Sequence, residues 1–143
     1  MNTKHTINIA LSLSGIKRII LAECAWIDAT NITTLPPIIN PIKKQDIENM
    51  ILSSITAFCT RFSGYITSTT QDEDIYHIEM NFMLSCTNVE RNLIHLTEEF
   101  IICHFFTNAY APQKQAQHIT SLYSERLTTT IRSISHALAL YTV

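Results

Sequence analysis

The chain has 143 residues, a formal net charge of −2 and a hydrophobic fraction of 46%, but only 15% charged residues. This length fits one domain with its own core, which we expect to span residues 1–143. The balance of charge lacks the basic excess of a nucleic-acid-binding surface. The charged fraction is below the roughly 25% typical of soluble domains, which indicates a subunit that is buried in an assembly.

The cysteines and glycines narrow the class of protein further. Two glycines are too few for a glycine-rich phosphate loop, or for the many tight turns of an all-β fold. The first residues lack the basic head, apolar stretch and cleavage site of a signal peptide, so we expect a reducing cytoplasm or a particle assembled there. The four cysteines form no CxxC pair and are predicted to be small buried side chains; they are Cys24, Cys59, Cys86 and Cys103.

In chain order, the first predicted element is a strand over residues 6–13. Apolar and polar residues alternate strictly there, as in a strand with one buried face. Ser14 is expected to cap a first helix that runs to about residue 29. Trp26, the single tryptophan, is predicted to be a core or interface anchor. The face predicted to be apolar contains Ile16, Ile19, Ile20, Glu23 and Ile27.

Residues 30–44 are predicted to be a loop, because three prolines exclude a helix or a central strand. The loop also carries several aliphatic side chains. They either fold back onto the core or dock onto a neighbouring subunit, since apolar residues on an extended segment often mark a contact surface. The predicted interface therefore includes Leu35, Pro36, Pro37, Ile38 and Ile39.

A second helix is predicted over residues 46–63, with Gly64 placed beyond its end. Its apolar stripe is Ile47, Ile51, Ile55, Phe58 and Phe62. The polar residues that follow are predicted to form a turn containing Asp72, Glu73 and Asp74. Crowded carboxylates can bind a divalent cation, but the spacing is not that of a calcium loop. We predict a solvated acidic turn that belongs to the interface.

The second half of the chain contains a strand over residues 76–84 and two helices, at 87–111 and about 113–140. Thr87 and Glu90 have the spacing of a capping box at the start of the third helix. This helix is apolar on nearly all sides from Phe100 onward, so we expect it to be a central core helix. The predicted fold is mainly α, a four-helix bundle-like domain with two short amphipathic strands, which pair with each other or with strands of neighbouring copies.

No residue pattern predicts chemistry. The six histidines lack zinc-site or di-iron spacing, HExxH is absent, and no serine lies on a glycine elbow. His104 is predicted to be a buried, hydrogen-bonded side chain of the third helix. We therefore predict no enzyme activity, no cofactor and no metal site, and the alternative from another class is a small helical enzyme or metal-binding bundle.

The order of elements resembles the head–tail connector (adaptor, or head-completion) proteins of tailed bacteriophages. The resemblance lies in IKRIILAECAWID, then a Pro-rich loop, then DIENMILSSITAFCTRFSGYI as the first two helices. The strand and two helices that follow are similar to small proteins of the head–tail gene region in phages and prophages of Bacteroides-type bacteria. The similarity covers about residues 16–138 and consists of hydrophobic spacings.

The resemblance implies a structural virion protein. Such proteins form rings of identical subunits, commonly twelve, which sit on the portal protein, extend the DNA channel without reading its sequence, and give the tail a docking surface. It implies assembly in the cytoplasm of the bacterial host and no contact with a membrane. A tail-side protein, such as a terminator or a ring next to the tube, is the alternative within the same class.

Overall fold

The computed structural model describes residues 5–30, 44–82, 87–110 and 117–141. This part of the chain is mostly helical, with four long helices and one small antiparallel sheet. The elements are β1 (His5–Ser12), α1 (Leu13–Thr30), α2 (Lys44–Arg61), a 3₁₀ turn (Ser63–Tyr65), β2 (Ile66–Asp72), β3 (Ile75–Phe82), α3 (Thr87–Tyr110) and α4 (Gln117–Tyr141).

Strands β1 and β3 confirm the two strands predicted from alternation, and they pair with each other. The register joins Ile7 with Met80 and Ile9 with Ile78, so their apolar side chains share one side of the sheet. These four side chains are buried, and α3 lies against β1 on the core side. The predicted boundaries shift: β1 ends at Ser12 and β3 covers residues 75–82.

Strand β2 corrects the prediction that the polar stretch after Tyr65 is a turn region, and the sheet has three strands rather than two. The strand order is β1-β3-β2, which places β1 and β2 at the two edges. Apart from Ile66, every residue of β2 is exposed. Its threonines have high β-propensity, but no apolar alternation marks the strand, which forms by pairing with β3 rather than by burial.

Helix α3 is the centre of the core, as predicted, and it contacts α1, α2, α4 and β1. Its buried side chains point to several sides and include Leu93, Phe100, Ile101, Ile102, Cys103, Phe105 and Phe106. The predicted stripe of α2 is also buried. Ring centroids of Phe58 and Phe100 lie 5.4 Å apart in an edge-to-face arrangement, which adds directional contact to apolar burial.

Helix α1 is only partly covered. Ile16, Ile20 and Ile27 are buried as predicted, but Ile19 is 41% exposed and Trp26 is 66% exposed. Trp26 is therefore not a core residue, and the interface half of its prediction stays open. Within the described residues, no helix combines the length and apolarity that crossing a membrane requires.

Three predictions about element ends need comment. Helix α2 ends at Arg61, two residues earlier than predicted, and Gly64 lies inside the 3₁₀ turn. Neither glycine has a positive φ, so Gly64 is not a left-handed cap. Helix α3 begins at Thr87 as predicted. The side chain of Thr87, one half of the proposed capping box, lies outside the described part of the structure, as do residues 111–116.

Candidate functional site: a cleft beside strand β2

Asp74, from the predicted acidic turn, completes the start of helix α1. The backbone N–H of Leu13 donates to the carbonyl oxygen of Asp74 at 2.8 Å, and the N–H of Ser14 donates to its Oδ1 at 2.9 Å. The N–H of Gly15 donates to Oγ of Ser12 at 3.1 Å. Three N–H groups that the helix itself leaves unpaired therefore have acceptors. Ser12, not Ser14, is the cap, because the helix begins directly after β1.

The carboxylate of Asp74 is further held by two hydroxyls. Ser14 Oγ donates to Oδ2 at 2.7 Å, and Ser12 Oγ donates to the same atom at 3.0 Å. The hydrogen bond from the Ser14 side chain, followed by that from its backbone, lowers the pKa of Asp74. A negative charge at a helix N-terminus is also favoured by the helix dipole. Asp72, Glu73 and Asp74 are all exposed, and Asp74 is distinguished by its hydrogen bonds to Ser12 and Ser14 at the start of α1.

A cleft of about 640 Å³ lies between the first turns of α1, the middle of α2 and the β2–β3 turn. Gln71 lines the cleft from β2; its register partner is Tyr76, which places it on the core side of the sheet. The apolar lining is Leu13, Leu21, Ile51 and Leu52, and the charged lining is Lys17, Glu48, Glu73 and Asp74.

Lys17 and Glu48 join the two helices at the cleft. Nζ of Lys17 lies 2.9 Å from Oε1 of Glu48, and the two side chains are 15% and 56% exposed. Such a partly solvated pair contributes only about 0–1 kcal/mol to stability. With three carboxylates and one ammonium along the lining, the cleft is apolar at its walls and negative at its rim, which suits an apolar partner flanked by a basic group.

A second polar cluster joins α1, α3 and α4 on another side of the molecule. Oε1 of Glu99 accepts hydrogen bonds from Nη2 of Arg126 at 2.6 Å and from Nε at 3.1 Å. The Cys103 thiol donates to the same oxygen at 3.4 Å. The hydroxyl of Tyr123 donates to Oε2 of Glu23 at 2.8 Å. The guanidinium of Arg126 also lies 5.0 Å from the centre of the Tyr123 ring.

The surroundings of this second cluster favour the neutral forms of Cys103 and Tyr123. Burial, and next the charge of Glu99, raises the pKa of Cys103 to about 12. The thiol is therefore protonated at neutral pH and is a poor nucleophile. Burial and the hydrogen bond to Glu23 also raise the pKa of Tyr123. These groups hold each other in place across three helices.

His104 is a half-buried, hydrogen-bonded side chain of α3, close to what the sequence predicts. Its Nδ1 lies 2.8 Å from Oγ of Ser54 on α2, and its ring stacks on Phe100 with centroids 6.0 Å apart. Desolvation lowers the pKa of His104. The ring is neutral at physiological pH and connects two core helices. Among the described residues, no group of three or more His, Cys, Asp and Glu is placed to hold a metal ion.

The predicted interface residues have different positions. Leu35, Pro36, Pro37, Ile38 and Ile39 lie outside the described residues. Glu73 and Asp74 line the cleft, and Asp72 is the last residue of β2. The sequence analysis missed the Lys17–Glu48 pair, because these residues are 31 positions apart and no local pattern connects them.

Comparison with known proteins adds no relative. No protein-family model matches the chain, no curated protein matches it, and no solved structure matches it. Function is therefore inferred from the geometry of the chain itself and from the order of its elements.

Proposed function

We propose that the protein is a structural subunit that assembles with copies of itself, and that the assembly is a ring at the head–tail junction of a tailed phage. The observation that carries the assembly is strand β2, which is an edge strand with almost no cover. Thr69 and Gln71 share a side of the sheet with Ile78 and Tyr76. Both side chains are nevertheless exposed.

An exposed edge strand is a template for pairing with another chain, and natural proteins usually protect such edges with lysine, proline or a short strand. Strand β2 has seven residues, ITSTTQD, and none is lysine or proline. Its register with β3 is irregular between Ile66 and Ser68, but it is regular from Ser68 to Asp72, where the edge is open. Within the described residues, only β3 pairs with β2, and only β3 pairs with β1. Addition of a strand from a neighbouring copy would use the free backbone groups at these edges.

The exposed apolar side chains also support assembly. Trp26, Leu122, Ile19 and Tyr65 are large apolar residues with at least 36% of their surface exposed. Aromatic residues are enriched at protein–protein interfaces, where they often contribute most of the binding energy. Combined with the low charged fraction of 15%, these surfaces fit a subunit whose flanks are covered in its working state.

The head–tail position rests on the resemblance in the order of elements. We propose a ring of about twelve copies, as implied by that resemblance, on the portal protein, with DNA passing through it and the tail docking on its far side. In this proposal, the four helices form a bundle-like body and the sheet edges face neighbouring subunits. The part played by the protein is mechanical, so no residue is assigned a catalytic role.

The test of assembly compares the parent chain with Thr70→Lys by light scattering at increasing concentration. Thr70 is exposed on β2, and a lysine there protects the edge. We expect the parent to form a species of defined high mass, and Thr70→Lys to keep its helical circular dichroism but remain small. Thr128→Lys, an exposed position on α4, should assemble like the parent. A parent chain that stays a monomer would contradict the proposal.

The virion position has a separate test. Electron cryomicroscopy of phage particles that contain this chain should show it as a closed ring between portal and tail. Finding it in the capsid shell, at the tail tip or outside the particle would remove the head–tail proposal and leave the assembly proposal intact.

A further inference from the structure

Helix α1 has three sides with different surroundings. Its core side, with Ile16 and Ile20, is buried. A second side, with Leu13, Lys17 and Leu21, lines the cleft beside β2. A third side carries Ile19, Ala22 and Trp26, all exposed. At 3.6 residues per turn, the third side is about 170° around the helix from the cleft side. The α1 patch, defined as Ile19, Ala22 and Trp26, therefore faces away from the cleft of its own chain.

The α1 patch is apolar with a basic neighbour. Trp26 is 66% exposed and Ile19 is 41% exposed, and Arg18 beside them is exposed too. Glu23 is the one carboxylate among the α1 side chains that the structure describes, and it accepts the hydrogen bond of Tyr123. A patch of this kind, with a large aromatic residue at its centre, is typical of a protein-binding surface.

The cleft has the complementary properties. Its walls are apolar, and its rim carries the carboxylates of Glu48, Glu73 and Asp74. Glu48 is paired with Lys17, and Asp74 is engaged by the first turn of α1. Glu73 is exposed at the turn and is the carboxylate best placed to meet a basic group from outside. The cleft has a volume of about 640 Å³. It would receive Ile19 and Trp26, which are two turns, or about 10 Å, apart along α1.

We infer that a second copy of this chain is the occupant of the cleft: the α1 patch of one copy inserts Ile19 and Trp26 there, and Arg18 meets Glu73. This inference rests on the proposed assembly and adds a side-chain contact to the pairing of strand edges. Because the α1 patch and the cleft lie on opposite sides of one helix, each copy can insert its patch into one neighbour and receive the patch of another. A head-to-tail contact of this type closes into a ring when the rotation between copies allows it.

Disulfide trapping tests the direction of the contact. Ala22→Cys lies in the patch, and Gln71→Cys lies at the cleft; both positions are exposed. Under mild oxidation, a mixture of the two variants should give a much higher yield of cross-linked dimer than the parent chain. The parent chain measures the cross-linking that the native cysteines give by themselves. The double variant should give a ladder of higher species. Dimers from Ala22→Cys alone would show a symmetric α1–α1 contact and overturn the inference.

The other outcomes separate this contact from the assembly proposal. If the parent assembles but the mixture gives no cross-link, the patch-to-cleft contact is wrong and assembly through the strand edges remains. If the parent stays a monomer at every concentration, both proposals fail.

Charge exchange provides a second test. Arg18→Glu should raise the concentration needed for half-assembly by roughly tenfold or more, since a repulsive pair at an interface costs more than about 1.4 kcal/mol. Glu73→Lys should do the same, and combining the two should restore most of the assembly. Arg132→Glu, an exposed arginine on α4, is the matched control and should change little. Absence of recovery in the double variant would contradict the Arg18–Glu73 contact.

Discussion

Helix α3 is covered by other elements on almost every side, whereas strand β2 is exposed on both faces from Thr67 to Asp72. Both elements belong to one chain of low charge, but their polar groups are used differently. Around α3, Glu99 and Arg126 satisfy each other, as do Tyr123 and Glu23. Around β2, the edge faces outward and the cleft keeps an acidic rim. The covered side stabilises the subunit, and the open side is available for a neighbour.

The largest expected effect lies at the centre of the covered side. Phe58→Ala removes a fully buried ring that contacts Phe62 and Phe100. We expect the free energy of unfolding, measured in urea, to fall by about 3–5 kcal/mol, because a cavity is added to the lost burial. Leu122→Ala, at a position 53% exposed, should change it by about 0.5 kcal/mol or less. Equal effects would show that burial of the Phe58 ring contributes no more to stability than the exposed side chain of Leu122.

The Tyr123–Glu23 hydrogen bond is the next test of the covered side. Tyr123→Phe should lower the free energy of unfolding by about 1.5–3 kcal/mol at pH 7, as expected for a hydrogen bond to a charged group. Tyr65→Phe, at the exposed 3₁₀ turn, is the control and should be nearly neutral. A loss as small as that of the control would mean that the carboxylate of Glu23 does not need this partner.

Tyr123 and Cys103 together predict how stability depends on alkaline pH. The pKa of Tyr123 and the pKa of Cys103 are both raised in the folded chain, so folding favours their neutral forms. This contribution is complete below the ordinary pKa values, which are 10.0 for Tyr123 and 9.0 for Cys103. It is lost as pH rises through the pKa values of the folded chain. The urea midpoint should therefore fall above about pH 9, and less steeply in Tyr123→Phe.

The open side has its own stability test at the start of α1. Ser12→Ala removes the acceptor of the Gly15 N–H and should cost about 0.5–2 kcal/mol in urea unfolding.

The lowered pKa of Asp74 adds stability that is present above its ordinary value of 3.8 and is lost as pH falls through the folded value. In Asp74→Asn, the urea midpoint should fall less below about pH 4 than it does in the parent chain. In Asp72→Asn, it should fall as much as in the parent chain.

The smallest expected effect is a gain. A Cβ added at Gly64 meets nothing within 4 Å, and the residue has no positive φ. Gly64→Ala should therefore raise the free energy of unfolding by about 0.4–1 kcal/mol, by restricting the unfolded chain. At Gly15, an added Cβ would lie 3.1 Å from Oγ of Ser12. Gly15→Ala should gain nothing or lose stability, because the cap must move.

The sequence predicts the covered side much better than the open one. The stripe of α2 is recovered because one-sided burial leaves a period in the sequence. The central position of α3 is recovered because its apolar residues surround the helix. Periodicity also groups Ile19 with Ile16 and Ile20, but it does not show which neighbours cover them, so the exposure of Ile19 was missed. Strand β2 leaves no such period, since pairing with β3 rather than burial defines it.

The cleft could not be predicted for a different reason. It is built from α1, α2 and the β2–β3 turn, and its key pairs, Lys17 with Glu48 and Ser14 with Asp74, join residues 31 and 60 positions apart. A single sequence carries the chemistry of each residue but not their distance in space. The sequence identifies the acidic turn, but only the fold shows that Asp74 is hydrogen-bonded to the first turn of α1.

The pairing of β1 with β3 has a consequence for synthesis on the ribosome. His5 pairs with Phe82 and Ser12 with Ile75, so β1 leaves the ribosome long before its partner exists. At about 5–20 residues per second, the delay is on the order of several seconds. During that time β1, with its apolar side chains Ile7, Ile9 and Leu11, has no strand paired along its edge. Each nascent chain therefore exposes an unpaired, half-apolar strand until β3 is made.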